Sequence, residues 1–327
     1  MTVATAILAD IGGTNARFAL LVDTEPTLIT TYAVANYPSP VEAARAYLGG
    51  PAAGYQPQTA VMAAAGPVVN GRISMTNAAW VVDAEQIRSG LALASARVVN
   101  DFEALGWALP GFRPQDLAMI GPAVPAAARK TMAVMGPGTG FGLAALASDG
   151  NAEVVLVTEA GHATLASENA REDAIIQELR ARHPHVSIER ALSGPGLIEL
   201  YEAIAAVDQQ TVLSRDSADI VAHALAGDCA TSRATLDAFC AFLGSVAGNA
   251  ALTLGALGGI FIAGGIVPRF IDFVRASAFR QRFEAKGRLT PYLSDVPTAV
   301  IVHPEPAFVG LARLARREIT TNRSACA

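Results

Sequence analysis

Apolar residues along the chain fall into short continuous or alternating runs that predict strands and longer runs at helical spacing that predict helices. Residues 5–9, 16–22 and 28–34 predict three strands, with Gly12-Gly13 between the first two, and so an antiparallel meander. A helix over 41–48, strands over 59–65 and 97–99 and a helix over 102–109 follow, before Pro110, Gly111 and Pro114 break the pattern. The theme then restarts with a strand over 131–135, the turn Gly136-Pro-Gly-Thr-Gly140, and strands over 143–147 and 153–157. Strand, glycine turn, strand therefore occurs twice, which suggests two related α/β halves with a ligand cleft between them. Helices are predicted over 168–182, 196–207, 216–226 and 232–257, strands over 261–263 and 298–302, and a closing helix over 307–318 that packs back on the N-terminal half.

One uncharged stretch, residues 238–268, is long enough to span a bilayer. Its glycines and the Gly258-Gly259 break predict a buried helix followed by a buried strand instead. The N-terminal apolar run has no basic residue ahead of it and passes directly into Asp10, so no signal peptide is expected. With 52% apolar and 16% charged residues over 327 positions, the composition is that of a core-rich globular protein. A net charge of −5 with no block of like charge argues against a nucleic-acid partner. Three cysteines, Cys229, Cys240 and Cys326, are spaced unlike metal or redox pairs and suit reduced thiols in a cytoplasmic protein. Lysine occurs only at Lys130 and Lys286, neither after a glycine, so the GxxxxGK[ST] phosphate loop is absent. Any nucleotide phosphates must then be held by backbone amides and hydroxyls.

Four constellations carry candidate chemistry. In Asp10-Ile-Gly-Gly-Thr-Asn15 the glycines allow close backbone approach, Thr14 adds a hydroxyl, and Asp10 can join a Mg²⁺ shell beside phosphate oxygens; an ordinary hairpin turn is the alternative. Gly136-Pro-Gly-Thr-Gly-Phe-Gly142 fails the GxGxxG pattern of a Rossmann site, yet its glycine density points to backbone contact with a ligand. Asn100-Asp101 stands where a strand meets a helix: Asp101 is either a base that accepts a hydroxyl proton or a helix N-cap. Glu159-Ala-Gly-His162, joined by Glu189, offers acceptors for a polyol, whereas the histidine spacing is poor for zinc.

Taken together and in this order, these motifs resemble the zinc-free bacterial glucokinases of the hexokinase, Hsp70 and actin ATPase superfamily. Met75-Thr-Asn, Leu192-Ser-Gly-Pro-Gly-Leu, Phe261-Ile-Ala-Gly-Gly-Ile-Val-Pro-Arg-Phe and Phe279-Arg-Gln-Arg-Phe-Glu-Ala-Lys-Gly-Arg are similar to family sequence as well. The resemblance implies two ribonuclease-H-like (actin/hexokinase-type) α/β domains flanking a cleft, a small one of residues 1–111 plus 303–327 and a large one of 112–302. It implies ATP-dependent phosphorylation of the glucose 6-hydroxyl by a cytoplasmic homodimer, with no membrane partner. By the same resemblance Asp101 is the base, and Asn100, Gly138, Glu159, His162 and Glu189 contact the sugar. Ala9, Asp10, Ile11, Gly12, Gly13, Thr14, Gly138, Thr139, Gly264 and Gly265 contact ATP, with Asp10 on the Mg²⁺ side through water. The family usually has glycine where this chain has Ala160; an alanine strains that turn if its backbone needs positive φ or the ring comes close. A kinase for another sugar or an ATPase of the same superfamily is the alternative. A sugar-responsive regulator is disfavoured, because the first strand leaves no room upstream for a DNA-binding helix-turn-helix.

Overall fold

A computed structural model describes residues 5–75, 78–123, 130–149 and 152–325; Thr76-Asn77 and Cys326 lie outside these. The chain divides into two compact units, residues 1–113 with 303–327, and residues 114–302.

The first unit opens with the expected meander, β1 (Ala6–Ile11), β2 (Asn15–Val22) and β3 (Glu25–Ala33). Helix α1 (Pro40–Gly49) starts at Ser39, whose side chain accepts from the Glu42 N–H, with proline in the first turn. Strand β4 (Thr59–Ala64) precedes a small hairpin of β5 (Arg72–Ser74) and β6 (Val81–Asp83), helix α2 (Ala84–Gly90), β7 (Ser95–Asn100) and α3 (Asp101–Ala108). The sheet order is β3-β2-β1-β4-β7, with β4 and β7 parallel to β1. The hairpin escaped the sequence reading because three-residue strands leave no alternation to detect, and α2 because seven residues make too few turns to show a helical period.

The second unit begins with β8 (Leu117–Met119) and repeats the meander as β9 (Met132–Pro137), β10 (Phe141–Ser148) and β11 (Glu153–Thr158). Four helices follow: α4 (Ala170–Arg182), α5 (Gly194–Val207), α6 (Ser217–Ala226) and α7 (Ala230–Leu254). Then come β12 (Gly259–Ile262), the short helices α8 (Ile271–Ala276), α9 (Phe279–Glu284) and α10 (Thr290–Ser294), and β13 (Thr298–Ile301). The sheet runs β11-β10-β9-β12-β13-β8, with β12 and β13 parallel to β9. Apart from β8, this is the first sheet over again, so the internal repeat in the sequence is a repeat of topology. The last helix, α11 (Pro306–Ala325), belongs to the first unit, where it packs on α3, β1 and β4.

Helix α7, which holds the first part of the uncharged stretch, is the centre of the second unit's core. Phe239, Phe242 and Leu243 are fully buried on it, as are Phe279 and Phe283 on the α9 that packs against it. Burying such side chains contributes about 2 kcal/mol each. A charged cluster ties α9 to the start of α4: Arg282 Nη2 donates to Glu172 Oε2 at 3.0 Å, Arg282 Nε lies 2.9 Å from Glu168 Oε2, and Lys286 Nζ lies 3.1 Å from Glu168 Oε1. The Glu172 and Arg282 side chains are only 7% and 12% exposed. Burial pushes the Glu172 carboxyl up, but hydrogen bonds from Arg282, the Glu168 N–H and the Asn169 region, with the Arg282 charge, hold it below its ordinary value of 4.5. A carboxyl lowered in the folded state adds stability that is present above pH 4.5 and is lost as pH falls through the lowered value. Glu172→Gln is therefore expected to cost about 1 to 3 kcal/mol at neutral pH, by removing the more buried of the two carboxylates that face Arg282 and leaving Glu168 as its only charged partner among the described residues, and to flatten the acid limb of the stability curve. Urea titrations between neutral and acid pH, followed by circular dichroism, check both.

Candidate active site

In the first unit the candidate residues stand at the C-terminal ends of parallel strands, where open α/β sheets bind ligands. Register puts Ile11 beside Ala64 and Ala64 beside Asn100, so the ends of β1, β4 and β7 form one row. The turn after β1 and the Asn100-Asp101 pair are thus two strands apart, about 10 Å. Ala9 and Ile11 are buried in the sheet, which leaves Gly12, Gly13 and Thr14 as the open part of the first motif. The Gly12 N–H donates to Asn15 O at 2.9 Å, and Thr14 O accepts from the Val34 N–H at 2.9 Å, fixing the turn from below.

Asp10 points to a residue that the sequence reading left without a role. Its pairing partner across the hairpin is Arg17, whose guanidinium hydrogen-bonds Asp10 Oδ2 and, at 2.6 Å, Glu305 Oε2. Burial lifts the Asp10 carboxyl above its ordinary range, against the charge and hydrogen bond of Arg17. The Asp10–Arg17 pairing follows from hairpin register and was legible. Glu305, 288 positions away from Arg17, was not.

The two readings of Asp101 separate here. Asn100 is the N-cap of α3: its Oδ1 accepts from Phe102 N–H at 2.9 Å and from Glu103 N–H at 3.4 Å. Its Nδ2 donates to Gly66 O at 3.0 Å, which ties the ends of β7 and β4 together. Asp101 occupies the first helical position, with Oδ1 3.0 Å from the Phe102 nitrogen, at the helix end that best accommodates a carboxylate anion.

In the second unit the turn Gly138-Thr139-Gly140 occupies the place between β9 and β10 that Gly12-Gly13-Thr14 occupies between β1 and β2. Two of its glycines have opposite reasons. A Cβ on Gly140 would lie 2.4 Å from Glu189 Oε2, so the fold demands glycine there. A Cβ on Gly138 would meet no protein atom within 4 Å, and the position lacks positive φ, so the fold makes no such demand. Gly138 N–H donates to Gly140 O and Gly138 O accepts from Gly194 N–H, both at 2.8 Å. Gly264 leaves the end of β12 so close to Pro137 that an added Cβ would sit 2.3 Å from its carbonyl oxygen, which places the exposed Gly264-Gly265 pair beside the turn.

Glu159 precedes and His162 ends a short 3-10 turn after β11, and both are exposed. Ala160 has no positive φ, and it packs against the large core, so the substitution introduces no backbone strain. Gly161 is the position that tolerates no side chain, since a Cβ would lie 2.2 Å from Phe141 O. The Glu189 N–H donates to Gly161 O at 2.9 Å and Glu189 Oε2 accepts from the Phe141 N–H at 2.8 Å, so the turn of Glu159 and His162 and the second glycine turn share one hydrogen-bond network. His185 places its Nε2 3.0 Å from His162 O and supports the same turn.

A family model for glucokinases matches residues 7–318. The chain belongs to the glucokinase family. A glucokinase of Paramagnetospirillum magneticum is 44% identical over 310 residues, covering 94% of this chain and 96% of that protein. The bifunctional protein glk of Burkholderia pseudomallei is 42% identical over 318 residues, and the chain spans 49% of its length. The crystal structure of a glucokinase from an Antarctic psychrotroph superposes with a TM-score of 0.89 at 37% identity, covering 96% of this chain and 99% of that one. Family membership and the repeated sheet topology agree on an actin/hexokinase-type fold.

The glycine contrast gives a direct test. Gly138→Ala is expected to leave stability within about 0.5 kcal/mol. Gly140→Ala is expected to lower it by about 2 kcal/mol through the clash with Glu189. Thermal unfolding of the two variants beside the native chain measures the difference.

Proposed function

We infer that this chain transfers the γ-phosphoryl group of ATP to the 6-hydroxyl of D-glucose, giving glucose 6-phosphate and ADP, with Asp101 as general base. The observation that carries the base assignment is the place of Asp101 at the first residue of α3, a helix whose N-cap is Asn100, with the Phe102 N–H shared between the two side chains. The 6-hydroxyl proton passes to the Asp101 carboxylate as the sugar oxygen attacks the γ-phosphorus in line and the ADP oxygen leaves. Asn100, Gly138, Glu159, His162 and Glu189 hold the remaining hydroxyls, carboxylates accepting and the amide donating.

The reaction asks the protein for positioning and charge stabilisation more than for covalent chemistry. Backbone groups of Gly12, Gly13, Gly138, Gly264 and Gly265, with the Thr14 and Thr139 hydroxyls, hold the nucleotide without a phosphate-loop lysine. Gly138 and Gly265, where a methyl would meet nothing within 4 Å, leave the open approach that this needs. For Mg²⁺ the donor set is thin: the described residues hold no cluster of three acidic, histidine or cysteine side chains, and Arg17 occupies one oxygen of Asp10. That set fits a cation held by phosphate oxygens and water, with Asp10 outside the inner shell, as Mg²⁺ at nucleotide sites usually is. When bound there, the ion offsets charge on the phosphates. The same reading places the enzyme in the cytoplasm as a homodimer, in keeping with its free Cys229 and Cys240.

Sugar-dependent ADP release tests the assignment. Glucose is expected to stimulate release well above the sugar-free rate and above mannose, fructose and glucosamine; preference for another sugar, or hydrolysis indifferent to sugar, would overturn it. Asp101→Asn is expected to cut kcat by roughly 10²- to 10⁴-fold with little change in thermal stability. Unchanged turnover would remove the base role. Because the Ala160 methyl packs into the core, Ala160→Gly is expected to keep the native order of sugar preference while losing about 1 kcal/mol of stability, read from the same panel and from thermal unfolding.

A further inference from the structure

Glu189 is joined to two parts of the second unit at once. Its backbone N–H donates to Gly161 O at 2.9 Å, within the turn that carries Glu159 and His162. Its side chain lies on the other glycine turn, with Oε2 accepting from the Phe141 N–H at 2.8 Å and pressed against Gly140. Downstream, Glu189 O accepts from Ser193 Oγ at 2.8 Å, and the Gly194 N–H returns to Gly138 O at 2.8 Å, closing a loop of hydrogen bonds around Gly138-Thr139-Gly140. The second carboxylate oxygen, Oε1, has no hydrogen-bond partner among the described residues, and the side chain is half-buried with one side toward solvent.

We propose that Glu189 is a bridge between sugar and nucleotide: a sugar hydroxyl on Oε1 holds the carboxylate in the orientation in which Oε2 supports the Gly138–Gly140 turn, so that sugar raises the affinity for ATP. The inference rests on the glucose and ATP reading above and adds to it a coupling between the two substrates. Without sugar, Oε1 is solvated and the carboxylate can swing about its last torsions, releasing the Phe141 N–H and the turn it holds. With sugar, both oxygens are committed. A ligand shifts such an equilibrium only through a difference in affinity for the two arrangements, and the hydroxyl on Oε1 supplies that difference. By linkage, ATP then raises the affinity for sugar by the same factor.

A residue that merely held sugar would change the glucose KM and leave the ATP KM, measured at saturating glucose, where it was. For a bridge, Glu189→Ala is expected to raise the glucose KM and also to raise the ATP KM at saturating glucose by about fivefold or more. Glu189→Gln is isosteric and keeps an acceptor for the Phe141 N–H, so it is expected to stay within about twofold of native in ATP KM. Hydrogen exchange of a peptide covering Phe141, with glucose and no nucleotide, gives a second readout: glucose is expected to slow exchange in the native chain and to have no effect in Glu189→Ala. An unchanged ATP KM in Glu189→Ala, or glucose protection that survives in it, overturns the bridge alone. A native chain that neither binds nor phosphorylates glucose overturns the sugar reading, and the bridge with it.

Discussion

The register of three parallel strands is the constraint on which the first unit's chemistry depends. Ile11, Ala64 and Asn100 lie in one row because β1, β4 and β7 pair without a bulge over six residues each. A slip of one residue in β7 would turn each of its side chains to the opposite face and move Asn100 away from Gly66. The cap of α3, the position of Asp101 at the first helical residue and its distance from the glycine turn all follow from that row. Burial of Val98 and Val99 in β7, beside the fully buried β4, makes the slip costly, because the strands lie within the hydrophobic core.

The same sheet order appears in the second unit, and with it a second glycine turn in the same place. What differs is how each turn is braced. The first stands on a charged chain, Asp10 to Arg17 to Glu305, and on the Val34 N–H. The second stands on a single carboxylate, Glu189, and on the start of α5. Both arrangements present main chain where a lysine-bearing loop would present a side-chain cation. Main chain fixed by a ladder has little conformational entropy left to lose when it meets an anion.

Segments that read as family sequence also include ones with structural work. Arg280 donates to the carbonyls of Leu293, Ser294 and Val296, and Arg282 enters the Glu168–Glu172 cluster, so the stretch from Phe279 to Arg288 clamps α9 to its neighbours. Helix α7, long and apolar enough to cross a membrane, is the helix these clamps hold against, and most of it is buried within the unit.

Periodicity alone determined the long elements. The meander, the helices α4 to α7 and the parallel strands carry apolar patterns, and Asn169, Ser193 and Asp216 cap α4, α5 and α6 with residue types favoured at helix starts. Glycines, carboxylates and amides grouped at strand ends drew out the candidate residues, each with a local use in a turn or cap as its rival, and the roles proposed for them follow from the family resemblance. Tertiary structure decided three matters that the chain order leaves open. It gave the cap position to Asn100, whose amide also reaches Gly66, and the first helical position to Asp101. It relieved Ala160, whose methyl finds the core, and placed the steric demand on Gly161. And it brought Glu305 to Arg17 and Glu189 to Phe141, contacts between residues 288 and 48 positions apart. Local pattern records which face of an element is buried; which distant side chain meets it is settled only when sheets and helices pack.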